Sequence, residues 1–530
     1  MNVSQTAKVI EEGKTALGIE LGSTQIKIVL VAEDFSVIAA GSCVWENKFE
    51  NGIWTYSLDE VWDGIQSSYS QLAADIKSRY HVTVKKVSSI GVSAMMHGYL
   101  AFDKDDKLLT PFRTWRNNIT KQAAEELTAL FEFNVPQRWS IAHLYQAILN
   151  KEEHVSKITY LTTLAGYVHW QLTGEKVLGI GDASGMFPVN GKKFRTDLIN
   201  KFMQLKEVKN YTWELTDILP KIYSAGEVAG KLTEKGARNL DTSGNLQAGS
   251  LLAPPEGDAG TGMISTNSVR EKTGNISVGT SAFAMVVLDK PLEKVHKDID
   301  VVTTPDGQTV AMVHTNNCSS DINAWAKLFK EFAARLGNNI GSNELYETLF
   351  LDTTKSDSDA GGLINYSYLS GENITEIQAG RPLFVRTPNS KFTLANFMTA
   401  QLYSAFAPLK IGMDILVKEE KIHTDVMIAQ GGLFKTPVVG QQVLANALNI
   451  PITIMNNASV GGPWGMAVLA IYLLKKKEQT LADFLDTQVF SNPESMTLSP
   501  EPVGVAGYRK FIERYQNGLK VEETAAVIPD

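Results

Sequence analysis

The sequence is poor in cysteine: Cys43 and Cys318 are the only two in 530 residues, and they stand far apart. With no Cys-x-x-Cys pair and no cysteine framework, a disulfide-stapled scaffold is excluded and a reduced, cytoplasmic setting is expected. No run of 18 uninterrupted apolar residues occurs, so no membrane-spanning helix is expected. Residues 1–14 are polar and lack the apolar centre of a signal peptide. Basic residues are outnumbered, 50 Lys and Arg against 58 Asp and Glu, for a formal net charge of −8. That balance argues against non-specific nucleic-acid binding. It leaves room for an anionic ligand, because backbone dipoles hold phosphates even in acidic proteins. Several signatures are also missing. There is no Gly-x-x-x-x-Gly-Lys-[Ser/Thr] loop, no His-Glu-x-x-His, no Gly-x-Ser-x-Gly and no kinase-type His-Arg-Asp loop.

What is present is an ordinary globular composition, 44% hydrophobic and 20% charged, in a chain long enough for two large lobes. Strand, helix and turn signals alternate throughout, which reads as an α/β or α+β protein. The alternation predicts a hairpin over 17–31, a third strand over 35–42, a helix over 58–79 and a buried strand over 87–93. Helices are expected over 121–130, 144–157 and 163–172, and 521–530 reads as a loose tail.

One internal echo outweighs any single motif. The hairpin at 17–31 turns through Gly22-Ser23-Thr24, and a second at 274–288 turns through Gly279-Thr280-Ser281. The two glycines stand 257 positions apart, about half the chain, which suggests two similar lobes meeting near 265–270. A glycine followed by two hydroxyl residues presents successive N–H groups and lets an anion come close. Taken singly, each turn reads better as plain hairpin geometry; the pair favours two phosphate cradles.

Three further segments carry chemistry. Asp258 sits among small residues in Gly257-Asp258-Ala259-Gly260, with room for a ligand and a carboxylate able to take a hydroxyl proton; a simple turn is the alternative. Met96 and His97 end a buried strand and together offer an apolar wall and a polar donor, a mixture that suits a sugar; a structural histidine is the alternative. Gly431-Gly432, with Lys435 close behind, lies between a strand and a helix over 438–448, a common nucleotide-contact geometry and equally a tight turn.

In this order and spacing the segments resemble the FGGY family of carbohydrate kinases, over roughly 17–515. Residues 17–27 and Gly279-Thr280-Ser281 resemble its two phosphate motifs, and Gly257-Asp258-Ala259-Gly260 the segment holding its catalytic base. Gly431 to Pro437 resembles its adenosine motif, 461–470 the Gly/Ala-rich helix next to it, and Gly181-Asp182-Ala183-Ser184-Gly185 its Asp-Ala-Ser/Ala-Gly segment. The resemblance implies the two-lobed α/β fold of sugar kinases, heat-shock chaperones and actin, ribonuclease H-like, with a duplicated core and a cleft between the lobes. It divides the chain into a tail over 1–14, a sugar-binding lobe over 15–267, a nucleotide-binding lobe over 268–515 and a tail over 516–530. Met96-His97-Gly98 is similar to the Met-His-Gly of the family's xylulokinases, so D-xylulose is the expected substrate. L-ribulose or another sugar or polyol is the alternative, and a non-catalytic nucleotide-dependent sugar sensor is the competing class.

The implied reaction moves the γ-phosphoryl group of ATP to a sugar hydroxyl, work done mainly by positioning and charge stabilisation. Asp258 is the implied base. Met96, His97, Trp115 and Ala259 join it at the sugar. Gly22, Ser23, Thr24, Gly279, Thr280, Ser281, Gly431, Gly432 and Lys435 hold the nucleotide. Lys27 either reaches the phosphates or simply faces solvent. Glu20 is the implied Mg2+ residue, acting through water. It stands where the family usually has Asp, and its extra methylene shifts the carboxylate by about one bond length. Two other departures are Leu433-Phe434 in place of Gly-Ala, and Trp115-Arg116-Asn117-Asn118 in place of Trp-Asn-Asp. The implied partners are small molecules, not nucleic acid or membrane, and a homodimer is compatible with the family.

Overall fold

The computed structural model describes residues 2–455, 461–491 and 494–528. The chain forms two compact units. The first comprises Met1–Val269, Val301–Val310 and Ser459–Asn492; the second comprises Arg270–Asp300, Ala311–Ala458 and Pro493–Asp530.

The first unit opens with helix α1 (Val3–Glu11), so the expected tail over 1–14 is largely helical, capped by Asn2 and anchored through buried Ile10. Its sheet is built from β1 (Thr15–Leu21), β2 (Gln25–Ala32), β3 (Val37–Val44), β4 (Ser89–Ala94) and the short strands β5 (Leu251–Leu252) and β6 (Glu256–Gly257). The order is β5-β4-β1-β2-β3, with β6 also on β4. β1 runs antiparallel to β2 and parallel to β4, and both β5 and β6 run parallel to β4. Central strands are covered on both faces, and β1 and β4 are buried almost throughout. Helix α2 (Leu58–Tyr80) covers one face. Ser57 and Glu60 cap it reciprocally, and Val61, Ile65, Leu72 and Ile76 bury one stripe. It presses so closely that a Cβ on Gly41 would lie 2.0 Å from the Ser68 carbonyl oxygen. After β6 comes α3 (Asp258–Ser265).

The second sheet, most of whose residues belong to the second unit, repeats the plan with β7 (Thr273–Val278), β8 (Ala282–Val287), β9 (Ile299–Thr303), β10 (Thr309–Thr315), β11 (Val426–Gly431), β12 (Ile452–Met455) and β13 (Ser495–Leu498), in the order β9-β10-β8-β7-β11-β12-β13. β7 is antiparallel to β8 and parallel to β11, and β11 is parallel to β12. The core helix α4 (Leu394–Asp414) is buried almost all round, and α5 (Val439–Leu448) comes after β11.

Helix α6 (Gly461–Lys475) belongs to the first unit although it lies late in the chain. Glycines make that possible: a Cβ on Gly18 would lie 1.9 Å from the Pro463 carbonyl oxygen, and one on Gly91 would meet Met466. The compact units therefore share a boundary near 268–270 with the two sequence halves, but are not two continuous stretches. Two local expectations also need correction. The single helix over 144–157 is two pieces, Ser140–Leu149 and a 3-10 turn Glu153–Lys157, because Lys151 between them takes a left-handed conformation with φ 55°. The last helix, α7 (Pro502–Ala525), continues into the stretch read as a loose tail, where buried Glu522 accepts a hydrogen bond from the Arg381 amide at 2.7 Å.

Candidate active site

The parallel register gathers the first unit's candidate residues. Leu21, Ala94 and Gly257 are aligned across β1, β4 and β6 at the carboxyl ends of the strands, where open parallel sheets bind ligands. The loops leaving these strands therefore emerge on one edge: Gly22-Ser23-Thr24 after β1, Met95-Met96-His97 after β4 and Asp258 after β6.

Asp258 is the first residue of α3 and is half-buried, with Ala259 partly exposed beside it. Its carboxylate accepts the Met96 amide at 3.3 Å. Burial pushes its pKa up to about 6, against the opposing effect of that amide and the Ala259 amide. It thus stays mostly ionised at neutral pH, and is a stronger base than a solvated aspartate. Glu20, on β1, is pushed up to about 7 by burial and by the charge of Asp258. Lys27, its cross-strand neighbour on β2, opposes the shift.

Met96 and His97, expected to wall the sugar, are both buried. Met96 packs against Gly257, where a Cβ would lie 2.2 Å from its Cγ. His97 takes φ 68° and turns inward, its Nδ1 donating to the Gly185 carbonyl at 3.0 Å. Gly185 can carry no side chain there, since a Cβ would lie 2.7 Å from that nitrogen. The ring is thus held by the protein. Trp115 is partly exposed and donates its Nε1–H to Ser23 Oγ at 3.1 Å, so it joins the wall to the first turn. Asn117 is spent elsewhere. Its side chain is buried and pairs with both backbone groups of Trp54 at 2.8 Å, while the Arg116 guanidinium stacks on the Trp54 ring. Neither replaces the missing carboxylate of the Trp-Asn-Asp pattern; they fasten the segment carrying Trp115.

In the second unit Val278 and Gly431 are aligned on β7 and β11, so Gly279-Thr280-Ser281 and Gly431-Gly432 share one strand-end edge. Gly431 is demanded by the protein: its φ is 135°, and a Cβ would lie 1.9 Å from the Val278 carbonyl oxygen. Gly22, Gly279 and Gly432 are different. None has positive φ; a Cβ would meet only the Gln25 oxygen at 3.2 Å, the Ser281 oxygen at 3.8 Å, and nothing within 4 Å, respectively. Neither turn geometry nor packing requires glycine at these three positions. Leu433 and Phe434 are buried in the core, so this departure fills the interior, while Lys435 is exposed.

One arrangement is not visible in the sequence. Glu256, on β6 two residues before Asp258, is buried and accepts the Asp182 amide at 3.0 Å and the Gly181 amide at 3.4 Å. Asp182, also buried, accepts Thr163 Oγ1 at 2.6 Å. Burial raises both carboxyls, Asp182 to about 7 and Glu256 well above its ordinary value, with Asp182's charge adding to the latter. The knot ties the Asp182 segment to the strand that delivers Asp258. The available signal is a lone Glu in the otherwise apolar run Ala253-Pro254-Pro255-Glu256.

Two sheets of repeated topology, each with a hairpin turn and a second loop at its strand ends, define the actin-like sugar-kinase class. Residues 15–244 match the FGGY family of carbohydrate kinases, N-terminal domain, and residues 274–474 the C-terminal domain of the same family. The chain belongs to the FGGY family of carbohydrate kinases, and is a phosphotransferase acting on a sugar hydroxyl. It is 23% identical over 523 residues to a xylulose kinase of Haemophilus influenzae, covering 95% of this chain and 99% of that one. It is 23% identical to a gluconokinase of Bacillus subtilis, covering 67% and 68%. Ligand-bound xylulose kinase from Lactobacillus acidophilus has the same fold, with a TM-score of 0.77 and 20% identity over 97% of this chain and 99% of that one. Among the described residues no helix is long and apolar enough to cross a membrane, and no group of three or more His, Cys, Asp or Glu could hold a metal.

Proposed function

We propose that the chain transfers the γ-phosphoryl group of ATP to a hydroxyl of a ketopentose, D-xylulose before L-ribulose, with Asp258 as the base. The observation that carries this reading is the position of Asp258. A half-buried carboxylate shares one strand-end edge with a hydroxyl-bearing turn and an apolar wall. The substrate hydroxyl gives its proton to the Asp258 carboxylate as its oxygen attacks the γ-phosphorus, the bond to the β,γ-bridging oxygen breaks and ADP leaves. Met96 and Trp115 present apolar faces to the sugar, and His97, fixed by Gly185, sets the wall; Ala259 borders the same recess. Gly22, Ser23 and Thr24 in one unit, and Gly279, Thr280 and Ser281 in the other, offer phosphate donors. Gly431, Gly432 and Lys435 serve the nucleotide, and Lys27 stands where its charge balances Glu20. The donor set fits Mg2+, which is commonly held by one or two carboxylates together with substrate phosphates and water. Glu20 would hold it, and the ion would neutralise phosphate charge. Met96-His97-Gly98 and the relatives named xylulose kinase support the pentulose; the gluconokinase among the relatives makes gluconate the control.

The test is ADP release by the purified chain with Mg2+-ATP and D-xylulose, L-ribulose, gluconate or glycerol. Highest kcat/KM on D-xylulose supports the assignment. Preference for gluconate or glycerol moves the substrate while leaving the chemistry. Nucleotide binding without turnover on any sugar or polyol would favour the sensor.

A further inference from the structure

The first turn is bonded in an unusual pattern. All three of its carbonyl oxygens are occupied: Gly22 O accepts Trp45 Nε1–H at 2.7 Å, Ser23 O accepts the Tyr56 hydroxyl at 2.5 Å, and Thr24 O accepts the Trp45 amide at 3.2 Å. Ser23 Oγ accepts Trp115 Nε1–H at 3.1 Å. The Gly22 amide closes the turn on Gln25 O at 3.0 Å. Among the described residues the Ser23 and Thr24 amides donate to nothing. With each carbonyl oxygen already held by a donor, the groups the turn has left to meet an anion are the Ser23 and Thr24 amides and hydroxyls. The Ser23 hydroxyl, accepting from Trp115, directs its own proton away from that ring.

The clamp is rigid. Trp45 and Tyr56 stack with ring centroids 4.0 Å apart, and Tyr56 is fully buried. Burial pushes its phenol up to about 12, so it remains a donor at any physiological pH. Asn47 and Thr114, joined at 3.2 Å, lie on the segments that deliver Trp45, Tyr56 and Trp115.

We infer that Trp45 and Tyr56, with Trp115, are positioning residues that make the first turn a donor-only phosphate cradle, by satisfying its carbonyl oxygens from behind. Removing one ring donor frees a carbonyl dipole beside the phosphates. An acceptor there repels an anion and competes for the turn's own donors, so the effect falls on nucleotide affinity. The inference rests on the proposed ATP-dependent reaction. Because Trp115 also borders the sugar wall, its substitution affects both ligands, whereas Trp45 and Tyr56 act on the nucleotide alone.

The experiment uses the full chain and calorimetric titration with AMPPNP and Mg2+, alongside the KM for sugar and for ATP. Tyr56→Phe and Trp45→Phe keep an aromatic ring and delete one donor. Each is expected to raise the AMPPNP Kd and the ATP KM about tenfold, the cost of one compromised hydrogen-bond site, with the sugar KM within twofold. Unchanged AMPPNP affinity in both variants, or equal weakening for sugar and ATP with a lowered Tm, overturns the inference and leaves only structural rings. If Tyr56→Phe fails to fold, Trp45→Phe decides alone. A wild-type chain that binds no AMPPNP ends the proposed function itself, which is a separate outcome from wild-type binding that the variants retain.

Discussion

The two sheets start from the same arrangement and end in different loops. Each has a hairpin (β1–β2 or β7–β8) whose first strand lies parallel to a later one, β4 or β11. The residues after β4 are the buried Met95-Met96-His97; those after β11 are the exposed Gly432 and the core-filling Leu433 and Phe434. The turns differ as well. Leu21 pairs with Ile26 around four residues, and Val278 with Ala282 around three. Aromatic donors brace the first; in the second, Gly279 O accepts both the amide and the hydroxyl of Ser319, at 3.1 and 2.6 Å. Thr280 O has no partner among the described residues. A repeated fold thus supplies repeated strand ends that carry different loops, and on the proposed function those loops divide the labour.

The largest effect expected from breaking this division is at Asp258. Asp258→Asn keeps shape and removes the base, so kcat should fall roughly 100- to 10,000-fold, with both KM values changing far less. The Tm should hold or rise, since a half-buried carboxylate with a raised pKa is held there against stability. Near-wild-type turnover would leave Asp258 only the first residue of α3 and remove the chemical distinction proposed between the two sheets.

Adjacent glycines in the second unit separate protein need from ligand need. Gly431→Ala meets both a positive φ and the Val278 carbonyl, and should cost about 2 kcal/mol or more in denaturant unfolding. Gly432→Ala has open space and should stay within about 1 kcal/mol of wild type, while weakening ATP. Equal stability losses would mean that both are plain turn glycines.

The pH profile sharpens the assignment of Asp258 as base. If Asp258 is the base, its ionised form is required, and its pKa is raised to about 6. Activity as kcat/KM should therefore be level above neutrality and fall about tenfold per unit below pH 6. A profile flat to pH 5 would contradict it.

Much of this is legible in the sequence, for reasons that particular residues illustrate. The hairpins are readable because alternation is local and a Gly-hydroxyl-hydroxyl turn interrupts it. The start of α2 is readable from its apolar spacing. The position of α6 is not, because the glycines that admit it, Gly18 and Gly91, lie hundreds of residues earlier and look like weak points in strands. Nor is the Asp182–Glu256 knot: Pro-Pro-Glu-Gly reads as a turn, and only the fold reveals that its carboxyl lies against two amides. Trp45 and Tyr56 carry no signal of their role, because an aromatic letter does not say where its polar end points. Motifs state which groups are present, and long-range packing decides which groups they meet.

The smallest expected effect tests the likeness of the two turns directly. Gly279→Ala places a methyl group 3.8 Å from its nearest neighbour, and Gly22→Ala places one 3.2 Å from the Gln25 oxygen. Neither backbone is in the left-handed region, so no strain penalty applies. Restricting the unfolded chain favours alanine by about 0.4–1 kcal/mol. Gly279→Ala should therefore be as stable as wild type or slightly more so, and Gly22→Ala slightly less stable than Gly279→Ala, because the Gln25 carbonyl must give way by a few tenths of an ångström. If both turns cradle phosphate, the methyl groups occupy the anion's side, and the ATP KM should rise several-fold in both variants while the sugar KM holds. A rise in one variant alone would assign the phosphates to that turn and leave the other glycine as an inheritance of the repeat. No rise in either, with stability as stated, would remove the cradle reading from both turns.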